Sequence, residues 1–195
     1  MFTERQQEIL EQTINLIAEK GIQGMTMKNL SKRLRITEPA IYRHYENKND
    51  ILLCLLEYFT TITTGIFKQQ INSEISAIDR IKIIFQRHFE AFKKTPALVA
   101  VIFSEEIFRN ELVLSNKVKQ IMECNAASIA RIIENGKQRG EISENLSTQQ
   151  LTIIFMGSLR LLVKRWQMKG FSFDLSSEGD KLFQTLNQLI KSKND

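Results

Sequence analysis

The sequence predicts an all-α fold, and three observations predict it. Helix breakers are scarce, with two Pro and eight Gly among 195 residues. Apolar residues recur at i, i+3, i+4 and i+7 along most of the chain. A residue able to cap a helix stands before most of these runs. Hydrophobic residues make up 43% and charged residues 25%. That balance is ordinary for a globular chain, and the length suits one or two small units with real cores.

Thr3 with Gln6 has capping-box spacing. Ile9, Leu10, Ile14, Leu16 and Ile17 then form an apolar stripe that should stop near Gly21, with Gly24 continuing the turn. The outer face of this helix carries Glu4, Glu8 and Glu11, a poor surface for a polyanion. Thr26 caps a second helix through Leu34, with Leu30 and Leu34 on one face. Arg35 and Ile36 make a tight corner. Thr37 caps a third helix, and Pro39 sits in its first turn, where a missing N–H costs nothing. Asn47 caps a fourth, with Asp50 three residues on, close to a capping box. This helix runs on through Leu52, Leu55, Leu56, Phe59, Ile62 and Ile66. A rigid helix shared by two units can carry motion between them.

After the polar break from Asn72 to Ser76, Ser76 with Asp79 opens a helix lined by Ile78, Ile81, Phe85, His88, Phe89 and Phe92. Thr95-Pro96 marks a new start, with Val99, Ile102 and Phe103 running towards Phe108. Asn110 caps a long segment through Leu114, Val118, Ile121, Ile129 and Ile133 that closes between Gly136 and Gly140. Ser147 with Gln150 opens a helix that is apolar nearly all round: Leu151, Ile154, Phe155, Leu162 and Trp166 on one side, Ile153, Met156, Leu159, Leu161 and Val163 on others. Such a helix must be covered on both sides, and a second subunit supplies the second cover. Ser177 with Asp180 opens the last helix, with Leu182, Phe183, Leu186, Leu189 and Ile190, before a frayed basic tail.

Helix, short turn, helix over residues 26–45 is the spacing that places a second helix in a DNA major groove. The faces of that second helix separate. Ile41 and Tyr45 turn towards Leu30, Leu34 and Ile36, while Pro39, Tyr42 and Arg43 turn away. Between Lys28 and Lys48 six basic residues (Lys28, Lys32, Arg33, Arg35, Arg43, Lys48) oppose only Glu38 and Glu46. That local excess is the electrostatic footprint of a phosphate binder. The whole-chain charge of +5 permits nucleic-acid binding without demanding it.

The run T-x3-L-S-x2-L-x-I-T-E-P-A-I-Y-R-H-Y-E-N-K-N-D-I-L, from Thr26 to Leu52, resembles the DNA-binding signature of TetR-family transcriptional regulators. Thr26, Ile36, Thr37, Ile41, Tyr42, His44, Tyr45, Lys48 and Leu52 stand where the family's typical residues stand. The match covers roughly the first quarter of the chain. One position departs: the family usually has Gly where Arg35 stands, and Gly reaches positive φ cheaply. Arg35 must accept strain or use a different turn. The resemblance implies a three-helix helix-turn-helix DNA-binding domain over 1–48 and a helical effector-binding and dimerisation domain over 49–195. It also implies a homodimer whose last two long helices form a four-helix bundle across a two-fold axis, reading a palindromic double-stranded operator. Thr37, Glu38, Pro39, Ala40, Tyr42 and Arg43 would face bases or nearby sugars. Thr26, Lys28, His44 and Lys48 would hold phosphates.

Phe85, Phe89, Phe92, Phe103, Phe108 and Phe155 are many rings for a small helical body. Singly each reads as core; together, bulky rings between helices leave room for an apolar ligand, which points to a lipophilic effector. His88 shares the face of Phe85 and Phe92 and either bonds a ligand or serves the core. Arg160 interrupts the run Met156–Val163 and pairs across a dimer, reaches the surface, or receives an anionic head group. Nothing points to catalysis, a cofactor or a metal. His44 and His88 lack ligand spacing, and no phosphate loop, nucleophile elbow or H-E-x-x-H occurs. Cys54 and Cys124 lack C-x-x-C spacing and read as buried free thiols. No basic-then-apolar leader and no 18-residue apolar run stands out, so a cytoplasmic protein is expected. The reading is a ligand-responsive DNA-binding regulator acting as a repressor. The alternative is a helical small-molecule-binding protein without sequence-specific DNA binding.

Overall fold

A computed structural model describes residues 3–71, 74–103 and 111–190. The expectations for Asn72, Phe108, Asn110 and the basic tail lie outside the described residues. The helices are α1 (Glu4–Gly24), α2 (Met27–Leu34), α3 (Glu38–Tyr42), α4 (Lys48–Ile71), α5 (Ala77–Lys94), α6 (Ala97–Ile102), α7 (Leu112–Gln138), α8 (Thr148–Met168) and α9 (Leu175–Ile190).

Two compact units share these helices. The first gathers described residues up to Thr61 with those from Thr95 to Lys119; the second takes Ile62–Lys94 and the residues from Gln120 on. Both α4 and α7 therefore contribute to each unit, and the first unit also includes α6, from well beyond residue 48.

In the first unit α2 and α6 pack on α1, and α3 packs on α2. Thr3 and Gln6 form the reciprocal capping box that their spacing predicts. Gly21 leaves helical geometry at φ 69°, ψ 177°, yet one more turn follows to Gly24 before the buried Met25. Ile9, Leu16, Ile17, Leu30, Ile41, Ile51 and Leu52 fill the core. Lys48–Gln70 of α4 has the length and a mean hydropathy of 1.4 that would suit a membrane span, contrary to the expectation of no such run. Ile51, Leu52, Leu55, Leu56 and Phe59 are nevertheless buried against protein, and Glu57 pairs with Lys117, so α4 is built as a core helix.

In the second unit α9 packs on both α5 and α8. Ser76 caps α5 by accepting the Asp79 N–H at 3.0 Å. The Phe85 ring lies 6.0 Å from Phe89, 6.0 Å from Phe155 and 5.9 Å from Phe183, all edge to face. Gly179 is dictated by this cluster: a Cβ there would stand 2.1 Å from Phe89 Cε2. Ser147 accepts the Gln150 N–H and opens α8 as expected. The last helix starts earlier than Ser177. Asp174 accepts the Ser176 N–H at 3.1 Å, so α9 begins at the buried Leu175. The thiols also differ from expectation: Cys54 is half-buried and Cys124 is exposed.

Candidate nucleic-acid interface

The surface assembled by residues 26–48 starts from its caps. Thr26 Oγ1 accepts the Asn29 N–H at 3.1 Å, and Asn29 Nδ2 donates back to the Gly24 carbonyl at 2.8 Å. These two bonds fix the entry of α2 and present Lys28 to solvent. The exit is fixed by Arg35, which takes the left-handed conformation at φ 55°, ψ 41°. Its N–H bonds the Lys32 carbonyl and the Ile36 N–H bonds the Ser31 carbonyl, the pattern of a helix stop usually served by glycine. Arg35 has thus accepted strain rather than an alternative turn.

Thr37 occupies the N-cap of α3, but its hydroxyl makes no capping bond, against expectation. The helix is held by Pro39 in its first turn and by the Ala40 N–H on the Thr37 carbonyl at 3.0 Å. Only Glu38–Tyr42 is helical, yet the Tyr45 N–H still reaches the Ile41 carbonyl at 3.1 Å, so Ile41 and Tyr45 stay on one inward face. The Tyr45 hydroxyl donates to the Gln6 carbonyl at 3.4 Å. Burial pushes the Tyr45 phenol and the neighbouring Cys54 thiol up, so both are neutral at neutral pH. On the outward face Tyr42 is 47% exposed. Thr37, Pro39, Arg43 and His44 are exposed beside it, and Glu38 and Ala40 are half-buried.

The basic residues divide by partner, which their spacing did not reveal. Arg33 is a brace: Nη1 and Nη2 donate to the two Glu19 oxygens at 2.7 and 2.6 Å, and Nε donates to Gln12 at 2.9 Å. This planar fork locks α2 to α1. It holds the Glu19 carboxyl below its usual range and the Arg33 guanidinium above. Arg33 counted towards the basic excess of the segment, but its charge is committed to this brace. Lys48 Nζ donates to the Ile22 carbonyl at 3.0 Å and ties the start of α4 to the end of α1. Lys28, Lys32, Arg35 and Arg43 are exposed. Asn47 accepts the Asp50 N–H at 3.1 Å, while Asp50 reaches the Glu46 N–H at 3.0 Å, one residue before the expected box partner.

The residues expected to meet a ligand fall in both units. Phe85, Phe89, Phe92 and Phe155 are buried in the second, whereas Phe103 is buried in the first. His88 is buried, its ring 5.8 Å from Phe67 and 6.4 Å from Phe92. Its Nδ1 stands 2.7 Å from the Ile84 carbonyl and must donate to it. Burial holds the imidazole below its ordinary pKa, hence neutral. Arg160 is half-buried with a terminal nitrogen 3.8 Å from the Met122 thioether. Sequence periodicity missed Thr63 and Gln70, polar side chains buried on the α4 stripe.

Residues 9–55 match the family described as bacterial regulatory proteins, tetR family, and residues 61–189 match the C-terminal region of YsiA-like proteins within the same group. The chain is 23% identical over 186 residues to the fatty acid metabolism regulator protein of Bacillus subtilis, covering 95% of each. It superposes on the fatty acid degradation regulator FadR of Bacillus halodurans with a TM-score of 0.84 at 21% identity, covering 96% of each chain. It also superposes on the B. subtilis transcriptional regulator FadR solved with stearoyl-CoA, with a TM-score of 0.79 at 22% identity, covering 92% of this chain and 96% of that one. The two family matches cover the helix-turn-helix and most of the helical region that follows it, and the chain belongs to the TetR family of bacterial regulatory proteins.

Proposed function

We propose that this chain is a homodimeric transcriptional repressor that leaves its operator when a long-chain acyl effector, such as an acyl-CoA, binds the second unit. The observation that carries the DNA half is the outward face of α3. Ile41 and Tyr45 are consumed by the core, so Pro39, Tyr42 and Arg43 have no packing role and are held at fixed positions on a braced helix. Pro39, Ala40 and Arg43 would read bases, with Glu38 and the uncommitted Thr37 hydroxyl beside them. Thr26, Lys28, Tyr42, His44 and Arg35 would meet phosphates, and Lys48 would act mainly by seating α4. The functional boundary near residue 48 belongs to this proposal.

The dimer is supported by an exposed apolar stripe on α8. Ile153 and Leu161 are each 63% exposed, Ile154 and Met168 lie along the same side, and a Cβ at Gly157 between them would meet nothing within 4 Å. Leu189 of α9 is 69% exposed. Exposed apolar area of this kind marks an association surface. Two α3 helices would then meet half-sites about 34–36 Å apart. The similarity to the regulator solved with stearoyl-CoA supports an acyl effector, as does the Phe85 cluster. By linkage, operator DNA must weaken effector binding by the factor with which effector weakens DNA binding. The protein so described works in the cytoplasm.

Fluorescence anisotropy on duplex from the protein's own upstream region tests this. Unrelated duplex should fail to compete, and stearoyl-CoA should release the protein. Equal binding to both duplexes would leave only the small-molecule-binding alternative. Specific binding that no acyl-CoA alters would remove the effector half.

A further inference from the structure

Gln70 lies on α4 in the second unit, 7% exposed, and its Oε1 is buried with no donor reaching it among the described residues. Thr63, buried two turns earlier, and Phe67, three residues before Gln70, share its side of the helix. The Phe67 ring meets His88 at 5.8 Å, which ties this side of α4 to the inward face of α5. A polar stripe therefore runs along apolar and aromatic surroundings, and one of its groups is an acceptor without a partner among the described residues. A buried carbonyl left so is destabilising, and native chains keep few of them without a reason.

We infer that Gln70 is the hydrogen-bond acceptor that orients the effector, and that the effector carries an N–H or O–H donor beside its apolar chain. This rests on the effector reading above and narrows it. An ionised long-chain carboxylate only accepts hydrogen bonds and would set acceptor against acceptor. An acyl chain joined to an amide-bearing arm, or one bearing a hydroxyl, supplies the missing donor. Specificity of this kind is large because the wrong ligand leaves a buried polar group unsatisfied.

Two probes differing only in the donor test it: N-methyldodecanamide, with one N–H, and N,N-dimethyldodecanamide, with none. Titrated into the full chain and followed by tryptophan fluorescence, the first should bind roughly tenfold tighter. Gln70→Leu and Gln70→Met should bind the two equally. Neither variant should unfold at a lower temperature than wild type without ligand, since each removes an unsatisfied acceptor. Equal binding by wild type, a preference that survives in both variants, or destabilisation of both variants would overturn the inference. If wild type binds neither amide nor stearoyl-CoA, the effector reading itself has failed; if stearoyl-CoA binds and the amides are not distinguished, only the role of Gln70 has failed.

Discussion

Replacing Arg35 with glycine should raise stability and lower DNA affinity together. Arg35 sits at φ 55°, ψ 41°, in a region that costs an L-residue about 1–2 kcal/mol. Glycine removes that strain but gives back roughly 0.5–1 kcal/mol through the extra freedom of the unfolded chain. The net gain should be on the order of 0.5–1 kcal/mol, raising the melting temperature by about 1–4 °C for a chain of this size. The left-handed turn is kept, so α3 should keep its orientation. The exposed guanidinium is lost, and with it one phosphate contact, so the slope of log K against log salt should fall by about 1. Thermal and urea denaturation measure the first effect, and anisotropy across a salt series measures the second. Arg35→Lys keeps both charge and strain and should change neither greatly. A less stable Arg35→Gly protein would refute the strain argument, and an unchanged salt slope would refute the phosphate contact.

Other consequences are more local. Gly179→Ala should destabilise by about 1–3 kcal/mol in urea unfolding, because its Cβ would stand 2.1 Å from the fully buried Phe89 ring. Arg43→Ala should change sequence preference on a panel of operator variants, whereas Lys28→Ala should weaken all sequences alike and lower the salt slope. His88 is held neutral by burial, so the unfolded chain takes up a proton at a pH where the folded one does not. Stability should therefore fall as pH drops below about 6.5, and His88→Leu should lose that component in unfolding measured from pH 7.5 to 5. Leu161→Glu, on the exposed stripe of α8, should give a monomer by sedimentation and abolish operator binding.

What could be read from the chain was local. Thr3, Thr26, Ser76 and Ser147 cap because their amide partners are three residues away, a distance that sequence reports directly. The segment 174–180 misled because two acceptors compete to open the helix, and burial of Leu175 favours Asp174 over Ser177. Arg33 looked like its basic neighbours because its partners, Glu19 and Gln12, lie in another helix. Phe103 looked like Phe92 because periodicity reports burial but not which core a ring enters. Gln70 was invisible for a related reason: a polar residue within an apolar stripe reads as a solvent position until the helices around it are placed.

The central claim is that two copies of the α3 tip occupy successive major grooves of one duplex. Hydroxyl-radical footprinting of the wild-type complex tests it most directly. Two symmetric protected tracts on one face of the duplex, their centres about 34–36 Å or a multiple of that apart, are expected. A single tract, or uniform protection along the fragment, would contradict it.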